Sequence, residues 1–202
     1  MRKVIVLTFV SLDGVMQAPG GPEEDVAGGF RFGGWTVPYF DEAVGDAMGD
    51  QMGKPFDLLL GRKTYDLFAS FWPQQTDPTA AALNGARKYV ASRKPRKLEW
   101  QNSTQLSGDV VEAVRELKQQ DGPELQVHGS ADFIQTLLKN DLVDELWLKI
   151  FPVTLGEGKR LFGEGTSPAA FKVVKSTTSP SGVIVASYQR DGDVKTGSFA
   201  GG

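Results

Sequence analysis

The sequence predicts an α/β sandwich with a mostly parallel central sheet and an antiparallel edge. It reads as one domain over residues 1–190 followed by a flexible tail at 191–202. Three observations lead there. Short apolar, β-branched runs alternate with stretches of helical periodicity from Val4 to Phe151. Two further strand-like runs then follow with no helix between them, so they pair antiparallel. No internal repeat and no linker divides the chain.

The elements follow in order. Val4 to Leu12 is rich in Val, Ile and Thr and suits a buried first strand. It follows two cations, in outline like a signal peptide, but no small-residue cleavage site comes after it. Asp13 to Trp35 holds seven glycines and two prolines, too long for an ordinary connection and suited to a lid. Pro38 to Met52 has helical spacing of Phe40, Val44, Met48 and Met52. Asp57 to Leu60 is a strand, Arg62 to Phe71 a helix and Thr76 to Leu83 a further helical piece. Lys88 to Ala91 is a strand that stops at Ser92-Arg93-Lys94-Pro95. Ser107 or Asp109 caps an amphipathic helix that Gly122-Pro123 ends. Glu124 to His128 is a strand, Ser130 to Lys139 a helix and Glu145 to Phe151 a strand. Phe171 to Ser176 and Val183 to Arg190 form the terminal pair around Pro180-Ser181-Gly182.

Composition excludes much chemistry. The chain has no cysteine and one histidine, so thiol nucleophiles, disulfides, Fe–S clusters and multi-histidine metal sites are ruled out. No metal is expected. A net charge of −3 gives no electrostatic footprint for nucleic acid or for a membrane surface. The absence of cysteine and of an export signal suggests the cytoplasm.

The 24 glycines are more informative. Gly61 and Gly129 each end a strand and precede a helix, where bare backbone and unpaired first-turn N–H groups can receive phosphate. The first turn, Gly61-Arg62-Lys63-Thr64, puts two cations at a helix N-terminus, which is unfavourable unless an anion offsets them. The second turn, Gly129-Ser130-Ala131, fits either a phosphate cradle or an ordinary N-cap. His128, just before it, reads as a structural imidazole. Gly156-Glu157-Gly158 lacks the third glycine of a dinucleotide fingerprint, since Leu161 stands there, but a pocket loop remains plausible. Ser92 and Arg93, at another strand end, suit a monophosphate. One NADP-type ligand would account for all three phosphate sites.

These pieces together resemble the dihydrofolate-reductase fold, and more closely the stand-alone relatives of the riboflavin-biosynthesis reductase domain, the RibD C-terminal domain. The resemblance rests on Ser11-Leu12-Asp13-Gly14, Gly61-Arg62-Lys63-Thr64-Tyr65 and Val127-His128-Gly129-Ser130. Leu142-Val143-Asp144-Glu145-Leu146, leading into Pro152-Val153-Thr154-Leu155-Gly156-Glu157-Gly158 and Leu161-Phe162, is the most specific part. The resemblance implies a dihydrofolate reductase-like three-layer sandwich. It also implies an NADPH-dependent reductase of a pteridine- or pyrimidine-type heterocycle, often a homodimer. It places Arg62, Lys63 and Thr64 at the cofactor phosphates, Ser92 and Arg93 at the 2′-phosphate, and Gly129, Ser130 and Ala131 at the pyrophosphate. Leu155, Gly156, Glu157 and Gly158 would line the pocket.

The family's pterin-binding carboxylate has no certain counterpart, so Asp13, Asp41 and Glu42 are the candidate acids for the proton that accompanies hydride. Their alternative is structural, as a turn residue and helix-start charges. Phe32, Trp35 and Tyr39 could stack on a flat substrate ring. A cofactor-binding protein without turnover is the rival function. A serine hydrolase is disfavoured, because Ser130 lacks the Gly-x-Ser-x-Gly elbow.

Overall fold

The computed structural model describes residues 1–199. The end of the expected flexible tail, residues 200–202, lies outside the described residues. One sheet organises the chain. Its strands are β1 (Val4–Ser11), β2 (Phe56–Gly61), β3 (Lys88–Ala91), β4 (Ser103–Gln105), β5 (Glu124–Val127), β6 (Glu145–Phe151), β7 (Phe171–Thr178) and β8 (Ile184–Arg190). Their spatial order is β4-β3-β2-β5-β1-β6-β8-β7. From β4 to β6 all neighbours are parallel, and β8 joins β6 and β7 antiparallel, as the sequence pattern predicts.

Five α-helices cover the two faces: α1 (Glu42–Met52), α2 (Arg62–Phe71), α3 (Pro78–Gly85), α4 (Val110–Gln119) and α5 (Ala131–Lys139). Strand alternation sorts the side chains. Val4, Val6, Val10 and Leu59 bury against Val114 and Leu117 of α4 and Ile134 and Leu137 of α5. Leu58 and Leu60 point to the other face, where Tyr65 of α2 and Leu83 of α3 cover them. Each fully buried Leu or Ile contributes about 1.5–3 kcal/mol of transfer energy. Those two packed faces fix the C-terminal ends of β1, β2 and β5 in one row, and the cavity described below opens along that row.

Three elements differ from expectation. Helix α1 begins at Glu42 and not Pro38, because Val37–Tyr39 forms a 3-10 turn and the chain turns extended at Phe40. Asp41 then caps the helix by accepting the Val44 N–H at 3.0 Å. Helix α3 runs two residues later than the spacing of Thr76 to Leu83 suggests. Pro78 supplies a preset φ at its start, and Asp77 accepts the Ala80 N–H at 3.0 Å. Strand β4 has no sequence signal: it is three polar residues that add to the edge by pairing with Lys88, Tyr89 and Val90.

At the chain's far end, Asp191 and Gly192 exchange backbone hydrogen bonds with Ala170, extending the β7–β8 pair beyond Arg190. Among the described residues no helix is long and apolar enough to cross a membrane.

Candidate active site

A cavity of about 1070 Å³ opens between the α1–α2 face of the sheet and the segment that follows β1. Its floor is Leu7, Thr8 and Phe9 of β1 with Lys149 of β6, and Phe9 and Lys149 are neighbours in the ladder. Met48, Gln51 and Met52 of α1 form one wall, and Lys63, Thr64, Leu67 and Phe68 of α2 another. His128, Gly129, Ser130 and Ala131 close the end.

The segment from Met16 to Ala27 forms the roof. Gln17 organises it. Its Nε2 donates to the carbonyls of Asp25 (2.8 Å) and Ala27 (2.9 Å), and its Oε1 accepts the Lys159 N–H (3.0 Å). The Trp35 indole N–H donates to the Gln17 carbonyl at 2.8 Å, and Lys159 pairs with Asp25 across the rim. Four convergent bonds on one buried glutamine give the glycine-rich stretch a defined shape.

At the end wall the two glycine turns meet. The Gly61 N–H donates to the Gly129 carbonyl at 2.9 Å. A Cβ on Gly61 would stand 2.4 Å from Ser130 Oγ, and one on Gly129 would stand 2.4 Å from Thr64 Oγ1. Neither position has room for a side chain. The Gly129–Ser130 peptide is cis. The helix caps divide in two groups here. Aspartates cap α1, α3 and α4 through side-chain bonds from Asp41, Asp77 and Asp109. The N-termini of α2 and α5, the two that meet at the cavity, have no side-chain cap. The first turn of α2 also has no acid, and carries Arg62 and Lys63. Two uncapped N-termini, a hydroxyl at each and adjacent cations are the donor set for a pyrophosphate.

Lys149 and His128 line the cavity, and among the described residues neither has an ion-pair partner. Lys149 is 3% exposed, and burial pulls its ammonium down to about 7. It donates to Gln51 Oε1 and lies 5.9 Å over the Phe9 ring. His128 is held down to about 3 by burial and then by the charge of Lys149, so its imidazole is neutral near pH 7. Its Nε2 is buried with no hydrogen-bond partner, and its ring stands 5.7 Å from Phe68.

The model of the RibD C-terminal domain matches residues 2–185. The chain belongs to this family. It is 30% identical over 196 residues to YyaP of Bacillus subtilis, an uncharacterized protein, covering 95% of this chain and 96% of that one. Among solved structures, a putative riboflavin biosynthesis protein from Shewanella sp. PV-4 superposes with a TM-score of 0.66 at 24% identity, covering 94% of this chain and 99% of that one. A dihydrofolate reductase from Enterococcus faecalis, solved with NADP(H), superposes with a TM-score of 0.59 at 15% identity, covering 94% and 96%. The fold is thus that of dihydrofolate reductase, and the family is one of reductases.

Against this RibD C-terminal frame the expected site residues separate. Lys63, Thr64, Gly129, Ser130 and Ala131 line the cavity. Gly61 lies directly beneath, against Ser130. Arg62 is exposed on α2 and faces Asp66 at 3.4 Å. Ser92 donates to the Lys94 carbonyl at 2.9 Å in the turn after β3, and Arg93 beside it is exposed. Gly61 pairs with Ala91 in the ladder, so that turn sits next to the start of α2.

The expected acids and stacking rings lie elsewhere. Asp13 accepts from Ser11 Oγ (2.6 Å) and from the N–H groups of Leu155 (3.1 Å) and Gly156 (2.8 Å). Burial pushes its carboxyl up, but these bonds outweigh it and hold it at about 2. Asp41 is held at about 2 by the Val44 N–H and by Ser181 and Ser179. Glu42 is exposed on the first turn of α1. None of the three lines the cavity, and Asp13 and Asp41 are ionised anchors with no proton to give near pH 7.

Trp35 and Tyr39 pack edge-on against Phe151 at 5.4 and 6.4 Å, and Phe32 lies edge-on to Phe30 at 6.0 Å, all outside the cavity wall. Leu155 and Gly156 spend their N–H groups on Asp13, Glu157 faces Arg31 at 3.5 Å, and a Cβ on Gly158 would stand 2.8 Å from Val15. That loop buttresses the roof from outside. The residues that sequence reasoning passed over are Gln17, Gln51 and Lys149. Only Lys149 left a signal: a cation among the apolar residues of Glu145 to Phe151.

Proposed function

We propose that the protein is an NADPH-dependent reductase of a pteridine- or pyrimidine-type heterocycle, with residues 1–190 as its catalytic unit. The observation that carries this is the pair of uncapped helix N-termini touching through Gly61 and Gly129 at the end of a cavity large enough for a ligand. Their residues fit the group. The N–H groups of Ser130 and Ala131 and the Ser130 hydroxyl would bind the pyrophosphate from α5. Lys63, Thr64 and Arg62 would bind it from α2. Ser92 and Arg93, one strand over, would take the 2′-phosphate. Bound NADPH would supply hydride, which is the chemistry this chain's own side chains lack.

The protein's part is orientation and exclusion of water. Leu7, Phe9, Met48, Met52 and Phe68 give the cavity apolar walls. The roof pinned by Gln17 and Lys159 shields it. A small heterocycle is the substrate the remaining space suits, and a cytoplasmic homodimer is the assembly we propose. Titration of NADPH against the protein by fluorescence tests the reading. Saturable binding is expected, and no binding at high micromolar cofactor refutes it.

A further inference from the structure

The cavity floor holds a buried cation. Lys149 reaches the floor from β6, is 3% exposed, and makes one hydrogen bond, to an uncharged amide, Gln51. Phe9 flanks it on β1, and Val185 opposes it on β8. His128, at the end of β5, lines the cavity, and its neutral imidazole has a buried Nε2 without a partner. The carboxylates lining the cavity are Glu23, Glu24 and Asp25 on the roof, with Asp25 already paired to Lys159, Asp66 on α2, already paired to Arg62 and Arg96, and Asp132 on α5. Among the described residues none of them pairs with Lys149.

A buried cation without a counter-ion is costly, and a ligand that brings a hydrogen-bond acceptor recovers part of that cost. We infer that Lys149 is the specificity-determining residue of this cavity: it selects a ring whose edge carries oxo groups, which accept hydrogen bonds, over one whose edge carries amino groups, which donate them. This rests on the reductase reading above, and it concerns the ring end of the site, where no cofactor phosphate is placed. The oxygen of such a ring accepts from the Lys149 ammonium. An amino-substituted edge presents N–H donors to the Lys149 donor and leaves it unpaired. Because Lys149 is only partly protonated near neutral pH, pairing with a carbonyl oxygen of a ring that keeps its own N–H proton draws a proton from solvent onto Lys149.

The test uses the full-length protein saturated with NADPH and two probes of the same shape, pteridine-2,4-dione and 2,4-diaminopteridine, followed by calorimetry. The dione is expected to bind at least 10-fold tighter than the diamine at pH 7, with net proton uptake seen as a heat that varies with buffer. Its affinity is expected to fall at least 10-fold between pH 7 and 9. Lys149→Met is expected to lose at least 10-fold in dione affinity and all of the proton uptake. Lys149→Arg keeps a permanent charge and is expected to retain dione binding without the uptake, which a merely structural lysine would not do. Equal or tighter binding of the diamine, an unchanged Lys149→Met, or failure of both probes to bind the NADPH-loaded protein overturns the inference and leaves the reductase reading standing. Failure of NADPH itself to bind strikes the reductase reading instead.

Discussion

Replacing Lys149 with Met should stabilise the protein, and the gain should depend on pH. In the unfolded chain the ammonium titrates at its ordinary 10.5, whereas burial in the cavity floor brings it to about 7. Between those values the unfolded chain holds the extra proton, so wild-type stability rises with pH across that window. Each pH unit of difference is worth about 1.4 kcal/mol, which puts the penalty at pH 7 at no more than about 5 kcal/mol. Methionine fills a similar volume without the charge, and leaves Gln51 short of one hydrogen bond worth about 1 kcal/mol. The variant should therefore be a few kcal/mol more stable than wild type at pH 7, and the gap should shrink by up to about 1.4 kcal/mol per pH unit toward pH 10. Urea unfolding of both proteins at pH 7, 8 and 9 measures it. A gap that does not change with pH would show that Lys149 is not a buried, uncompensated cation.

Gly61→Ala places a methyl 2.4 Å from Ser130 Oγ and 2.7 Å from Ser130 N, so it should cost about 1–3 kcal/mol and lower the melting temperature by several degrees. An unchanged melting curve would mean the two turns are not in contact. Asp13→Ala removes three hydrogen bonds to an ionised carboxylate and should cost about 1.5–3 kcal/mol near pH 7. Because Asp13 is depressed from 3.8 to about 2, that contribution is complete above about pH 4 and fades as pH falls toward 2, so denaturant midpoints of variant and wild type should converge in acid. Arg93→Ala should weaken NADPH about 10–100-fold while leaving NADH little changed, since one charge-assisted phosphate bond is worth about 1.5–3 kcal/mol. Equal losses for both cofactors would show that Arg93 does not read the 2′-phosphate.

The sheet was legible because its strands are runs of Val, Ile and Leu bounded by Gly, Pro and Asp, and period and length alone separate them from helices. The two glycine turns were legible for a related reason: Gly61 and Gly129 stand where a strand hands over to a helix, a position that the pattern of residues marks. The edge strand Ser103–Gln105 was hidden because three polar residues pair through backbone that any sequence supplies.

The acids show the other limit. Asp13, Asp41 and Glu42 have the residue type that proton transfer needs, but type does not say what a carboxylate touches. Asp13 bonds across 142 residues to Leu155, a long-range partner that no local pattern records. Lys149 was masked the opposite way. In a half-exposed strand a lysine is expected to face water, and only the eight-strand order, which puts β6 between β1 and β8, turns it to the cavity floor.

The central claim is that the dinucleotide spans the two turns at Gly61 and Gly129. A crystal structure of the protein grown with NADPH tests it most directly. Pyrophosphate oxygens are expected within hydrogen-bond distance of the Ser130 and Ala131 N–H groups, with Thr64 and Lys63 on the opposite side. A cofactor bound with its pyrophosphate away from both helix N-termini would contradict it.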